Sequence, residues 1–351
     1  MSSAARRAAH SDLATSLALL SDRELADLVA TGTPAGTGIG GRSTLVEVDG
    51  HQVFVKRVPL SDIELLPENT RSTANFFELP SICHYGTGSS PAFGAWRELA
   101  VHTMTTNWVL ADRFPGFPLM HHWRVIPDAV QPLPEELADA ERTVAYWGGA
   151  SQVRERIEAL RTATASLTLF LEYFPHTLHD WFDTQVRTDD ADRTCTRVDE
   201  WLGTLTTFLH DRQLLHFDAH FQNVLTDGDD FYLADYGLAF TPRFRLARQE
   251  HAFFDRHRDY DLVYTRAHLV NWLVTALYGY DRQEREAFVR GCAIGANPDG
   301  IPKTAAAIIT RDAPLTAVLN GFFSRLRQDS RRTPYPYEDL RLAFNSSALP
   351  A

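Results

Sequence analysis

The chain has 351 residues, 44% of them apolar and 23% charged, with a net charge of −11 at neutral pH. This is a globular composition with room for one large domain or two lobes, and its acidic balance argues against nucleic acid as a partner, since phosphate binding needs a basic face. Three scattered cysteines, Cys83, Cys195 and Cys292, argue against a disulfide framework. No run reaches the roughly 18 apolar residues of a membrane span, and Asp12 breaks up the one candidate signal-peptide core. A cytoplasmic protein with no membrane partner is expected.

In chain order, residues 11–30 carry helical spacing, and "SDRE" at 21–24 is a capping box with Ser21 as N-cap. Residues 1–30 therefore read as a helical extension. "TGTPAGTGIGGRS" at 31–43 is a glycine-rich loop, and "TLVEVDGHQVFVKRV" alternates around Asp49–Gly50, a strong hairpin signal. Residues 59–93 are rich in Pro, Ser and Gly and read as an insertion. A helix over 95–110 and a strand at 121–126 follow, then a proline-bounded acidic stretch at 127–142 and a charged helix near 151–164. The 127–165 region reads as a second insertion. "SLTLFLEYF" at 166–174 is a buried strand.

Beyond about 176 the pattern turns helical, with helices near 177–186, 195–211, 260–278, 283–292, 302–309 and 314–327. Short strands "NVLT" and "FYLAD" flank "DGDD". The expected fold is α+β: an antiparallel-sheet lobe with inserted helices over 31–172 and a mostly helical lobe over 173–351.

Gly36, Gly38 and Gly41 satisfy GxGxxG, and Arg42 stands where a Walker A loop has lysine. Either phosphate loop would open a helix, whereas a strand pattern follows here. A glycine loop between strands lets backbone amides lie over nucleotide phosphates without a Cβ in the way; a plain surface turn is the bland alternative. Lys56 closes "VFVK" and is one of only two lysines, with Lys303. On a strand facing the loop its ammonium reaches α- and β-phosphates as a point charge. Glu98, on the next helix, is the candidate to orient it, although Glu64, Glu68 and Glu78 lie between.

"LLHFDAHFQNVL" at 214–225 supports two chemistries. One is a zinc site from His216, Asp218 and His220, which lacks a third ligand cluster. The other is phosphoryl transfer, with Asp218 as base and Asn223 and Asp235 as hard oxygen ligands for Mg²⁺. Asp235 lies in "LADYG", followed by a glycine turn.

The ordered set of glycine loop, "VFVK", "HFDAHFQN" and "DYG" resembles the protein-kinase superfamily. The resemblance spans residues 36 to 237 and implies a bilobal fold using ATP and Mg²⁺. It implies that Lys56 pairs with Glu98, that Asp218 is the catalytic aspartate, and that Asn223 and Asp235 hold metal. It also implies that the backbone around Glu172 and Phe174 holds adenine, with Leu171 near the gatekeeper position. Protein kinases usually carry Arg before the catalytic Asp and Lys two after it; here these are Phe217 and His220. Asp-x-His-x-x-x-Asn is similar to aminoglycoside and choline phosphotransferases instead, which implies His220 beside the γ-phosphate. No Ala-Pro-Glu follows "DYG", and Asp259 or Asp261 stands to brace the catalytic loop.

Residues 180–235 carry an excess of nine negative charges. For any one residue this is most simply a solvated face, but an acidic lip attracts a cationic acceptor. The expected activity is transfer of the γ-phosphate to a hydroxyl of a small cationic molecule. The alternatives are a Ser/Thr protein or peptide kinase and a silent ATP-binding scaffold.

Overall fold

The computed structural model describes residues 3–38, 41–86 and 90–347. Ile39 and Gly40, inside the glycine-rich stretch, lie outside the described residues. The chain is mixed α+β and divides into two units, 1–175 with 225–251 and 176–224 with 252–351.

The first unit is built on one antiparallel sheet of β1 (Thr33–Gly38), β2 (Gly41–Val48), β3 (His51–Leu60), β4 (Met120–Pro127) and β5 (Ala165–Glu172), in the order β1-β2-β3-β5-β4. β2 turns into β3 through Asp49 and Gly50, both at positive φ (49° and 76°). That is the type I′ geometry whose twist matches paired strands. Side-chain parity then sorts β3. Val53 and Val55 pack with Leu13 and Leu17 of α1 (Ser3–Leu19) and Leu25 and Val29 of α2 (Asp22–Thr31). Val58 and Leu60 pack on the other face with Ala95, Trp96 and Leu99. β5 follows the same rule, sending Phe170 to the first face and Leu167, Leu169 and Leu171 to the second. A strand covered on both faces reads as an unbroken apolar run, as "SLTLFLEYF" does.

Short helices α3 (Asp62–Leu65), α5 (Glu135–Ala138) and α6 (Ala140–Tyr146) surround the longer α4 (Ala95–Leu110) and α7 (Ser151–Arg161). The acidic stretch at 127–142 thus holds helix that its prolines concealed. Leu137, Ala140 and Val144 bury against Val153, Ile157 and Leu160 of α7.

The second unit contains the short strand β6 (His176–Thr177) and the helices α8 (Leu178–Gln185), α9 (Ala191–Asp211), α11 (Tyr260–Tyr278), α12 (Arg282–Ala293), α13 (Lys303–Gln328) and α14 (Tyr337–Ser347). α13 packs against α9, α11, α12 and α14. The two helices expected at 302–309 and 314–327 are one, because α13 runs straight through Pro314. A proline inside a helix costs about 3 kcal/mol. Burial of Ile308, Ile309, Leu315, Leu319 and Phe322 on either side, at roughly 1.5–3 kcal/mol each, outweighs it. α10 (Arg248–Arg256) and α14 carry no pattern strong enough to have been anticipated.

Two further differences from the sequence expectation concern boundaries. The N-terminal helices are no appendage, since they close one face of the sheet. And residues 225–251, with β7 (Val224–Thr226) leading in and β8 (Phe231–Leu233) within, group with the first unit rather than with the helices around them. The backbone N–H of Leu233 donates to the carbonyl of Gly116 at 2.9 Å.

Arg6 ties these parts together. It is 3% exposed and donates through Nε and Nη2 to the Glu172 carboxylate at 2.8 and 2.7 Å. It also donates to the carbonyls of Pro115 and Phe117 at 2.9 and 2.8 Å. Its guanidinium lies 4.6 Å from the centre of the Tyr232 ring. Removing one partner of a buried ion pair costs about 3–5 kcal/mol. Arg6→Ala should therefore lower stability by about 3 kcal/mol in urea unfolding and speed amide exchange in α1 before the rest of the sheet. An unchanged midpoint would show that α1 is not anchored through this side chain.

Candidate functional site

The sequence-predicted residues fall into two groups, one in each unit. In the first unit, Lys56 shares strand parity with Val58 and Leu60 and so projects toward α4. There its ammonium lies 2.7 Å from Glu98 Oε1 and 2.9 Å from Asp235 Oδ1. Burial by itself would push this ammonium down; the charges of Asp235 and then Glu98 outweigh it and hold it above the ordinary lysine range. Two carboxylates around one ammonium leave the cluster with a formal charge of about −1.

The glutamates between them have other work or none. Glu64, 1% exposed, is held by Arg156 at 2.8 Å and by Ser61. Its Oε1 accepts the first N–H of α4, from Ala95, at 3.1 Å. It thereby caps the helix that carries Glu98, satisfying a donor the helix itself cannot. Burial opposes its ionisation, but Arg156 and Ser61 prevail and hold it below the usual carboxylate range. Glu68 and Glu78 are exposed.

Asp235 sits at φ +60°, the left-handed region that Asp tolerates better than most residues. The Gly237 amide donates to its Oδ1 at 3.3 Å. Behind the cluster, the buried His102 lies 3.8 Å from Glu98 and edge-on to Tyr236, with ring centres 4.6 Å apart. Burial lowers its pKa, against the raising influence of the Glu98 carboxylate. The segment after Gly237 is fixed to α4 by a buried pair, Arg97 to Glu250 at 2.8 Å. Arg245 N–H also donates to Thr73 Oγ1 at 2.8 Å.

The glycine-rich stretch forms the two strands β1 and β2, with Gly38 paired to Gly41. It does not run into a helix. Gly41 has φ +119°, and a Cβ there would fall 2.0 Å from the Arg57 carbonyl oxygen; only glycine fits. Gly36, at φ +147°, has open space around it and sits at a bulge.

Leu171 and Glu172 end β5. The Glu172 N–H already donates to the Leu119 carbonyl at 2.8 Å, and its carboxylate is taken by Arg6, so neither is a free contact for a purine. Phe174 stacks on Tyr232 with ring centres 3.9 Å apart.

In the second unit, Asp218, His220 and Asn223 come together in one loop. Asn223 Nδ2 donates to the Asp218 carbonyl at 2.9 Å and to its Oδ2 at 3.3 Å, so Oδ1 is the amide atom not used in that contact. His220 Nε2 is 3.6 Å from Asp218 Oδ2. Of the two aspartates weighed as a brace, Asp261 is the one. Its carboxylate accepts the N–H groups of His216 and Phe217, the latter at 2.9 Å, whereas Asp259 is exposed beside His210.

Phe217 holds a left-handed φ of +66°, a strain of about 1–3 kcal/mol. It is fully buried against Tyr260 and Phe253, 4.5 and 5.7 Å between ring centres. His216 is fully buried and accepts the Asp218 N–H at Nδ1, 3.2 Å away. That is the role of a packing residue. Among the described residues no group of three or more His, Cys, Asp or Glu is arranged to hold a metal, so zinc at His216 and His220 has no support. Mg²⁺ asks less of the protein, one or two side-chain oxygens beside phosphates and water; Asp235 in the first unit and Asn223 in the second each carry a side-chain oxygen of that kind.

Sequence reasoning missed Arg6, Arg97 with Glu250, and His102. Only the oddity of charged or imidazole groups inside apolar helix faces signalled them. Among the described residues no helix is long and apolar enough to cross a membrane. No family model matches the chain, and no curated protein does either.

Burial raises the Asp261 carboxyl to about 6, against its two backbone hydrogen bonds. Between its ordinary value near 4 and 6, the folded state binds the extra proton. Asp261 thus favours folding at low pH, and this is lost as pH rises through 6. Relative to Asp261→Asn, the wild type should gain up to about 3 kcal/mol of stability between pH 7 and 4, in paired urea titrations. A difference that stays flat over that range would mean the carboxyl titrates normally.

Proposed function

We propose that this chain is a phosphotransferase of the protein-kinase-like, bilobal kind, moving the γ-phosphate of ATP to a hydroxyl of a small cationic molecule. The observation that carries the reading is the Lys56 ammonium held between Glu98 and Asp235, reached from opposite ends of the first unit's sequence. Phosphoryl transfer asks a protein mostly to position groups and neutralise charge. On this reading Glu98 orients Lys56, which binds the α- and β-phosphates. Asp235 and Asn223 are the residues that would hold Mg²⁺, which supplies charge neutralisation at the phosphates when bound. Asp218 accepts the acceptor hydroxyl's proton, and His220 stands beside it toward the γ-phosphate. Asp261 keeps that loop in register through two backbone N–H bonds.

Phe217 favours a small-molecule acceptor over a regulated protein substrate. The position before Asp218 is filled by a ring packed among aromatics, so no cation there waits for a phosphorylated loop. Arg97 and Glu250 already fix the segment after Gly237. The acidic excess over 180–235 supplies the attraction for a cationic acceptor.

The test is turnover of labelled ATP over a panel of aminoglycosides, amino alcohols and basic peptides. Asp218→Asn should cut turnover by about 10²–10⁴-fold while Mg-ATP still raises its melting temperature as in the wild type. Label on peptides alone selects the peptide-kinase alternative. Mg-ATP stabilisation of the wild type with no turnover on any acceptor selects the silent scaffold. Asp218→Asn turning over like the wild type would contradict Asp218 as the base.

A further inference from the structure

Asp261 braces only the front of the Asp218 loop, through the N–H groups of His216 and Phe217. The stretch from Asp218 to Asn223 has a second anchor. Phe221 lies between them with its ring fully buried, and both its backbone groups are taken. Its carbonyl accepts the His179 N–H at 3.1 Å, and its N–H donates to His268 Nε2 at 3.3 Å. The His268 and Phe221 rings also meet edge to face, with centres 4.7 Å apart.

His268 follows Asp261 by two helical turns on α11, so the two side chains share one face of the helix. Tyr264, between them on that face, stacks against the His268 ring, 6.0 Å between centres. One turn beyond, Trp272 Nε1 donates to His179 Nδ1 at 3.1 Å. A single helix face thus offers a carboxylate and an imidazole nitrogen to the loop's N–H groups at His216, Phe217 and Phe221. An imidazole accepts only at an unprotonated nitrogen, so a neutral His268 carries its proton on Nδ1. Burial, then His220, His179 and Arg285, lowers its pKa to about 3, which leaves Nε2 bare in neutral solution.

We propose that His268 is a positioning residue for phosphoryl transfer, acting through the Phe221 N–H to fix His220 on one side and Asn223 on the other relative to Asp218. The role in transfer rests on the phosphotransferase reading, whereas the hydrogen bond stands apart from it. A misplacement of about 1 Å far from the chemistry can cost on the order of 10²-fold in rate, so a clamp of this kind acts without touching substrate.

Nitrogen-15 NMR of the histidine-labelled full chain at pH 7, with His268→Gln to assign the signal, should show a protonated Nδ1 and a bare Nε2 at His268. A proton on Nε2 would overturn the proposal whatever the activity. With the best acceptor, His268→Leu, which keeps bulk but cannot accept, should lower kcat by about tenfold, with the KM for Mg-ATP as in the wild type. His268→Gln, whose side-chain oxygen can take the N–H, should recover most of that loss. Wild-type kcat in His268→Leu, or an equal loss in both variants, would overturn the positioning role, since packing alone does not favour glutamine over leucine. If the wild type turns over no acceptor, the phosphotransferase reading fails on its own. Amide exchange at Phe221 then decides the clamp: faster exchange in His268→Leu than in His268→Gln is expected, and equal rates overturn it.

Discussion

A buried ammonium with carboxylates on two sides is the interaction on which the first unit's organisation turns. Lys56 reaches Glu98 and Asp235 within hydrogen-bond distance, and desolvating such a charge costs several kcal/mol unless its partners stay in place. Three chain segments are therefore bound to one another at a point: a central strand, a helix across its face, and the turn after β8. The neighbouring contacts serve that point. Glu64 caps the helix that carries Glu98. Arg97 and Glu250 fix the chain beyond Gly237, and α1 and α2 close the far face of the sheet.

The second unit treats Asp218 in the same manner with different parts. Its loop holds a left-handed Phe217, a conformation no isolated peptide would keep. The strain is held by a buried ring cluster on one side and by the Asp261 carboxylate on two consecutive amides. Asn223 then folds back on Asp218. The result is a preset arrangement of oxygen atoms around Asp218.

Much of this was legible in the sequence because it is local or periodic. The Asp49–Gly50 turn, the double-faced β5 and the parity that sends Lys56 toward α4 all follow from spacing alone. The choice of Glu98 over Glu64 did not; it depended on Arg156, ninety-two residues away, claiming Glu64. Arg6 with Glu172 and Arg97 with Glu250 are likewise pairings between distant residues that no local pattern encodes. α13 was split at Pro314 on paper because helix propensity is a local penalty, while the apolar surface that overrides it is tertiary. The grouping of residues 225–251 with the sheet was hidden for a similar reason, since short strands carry little signal of their partners.

On the proposed reading, the Lys56–Glu98–Asp235 cluster binds the triphosphate of a nucleotide. Calorimetric binding of Mg-ATP and of adenosine to the wild type and to Lys56→Met tests it most directly. One-to-one Mg-ATP binding is expected, weakened by about tenfold or more in Lys56→Met, with adenosine affinity unchanged. Equal affinity of the two proteins for Mg-ATP would contradict it.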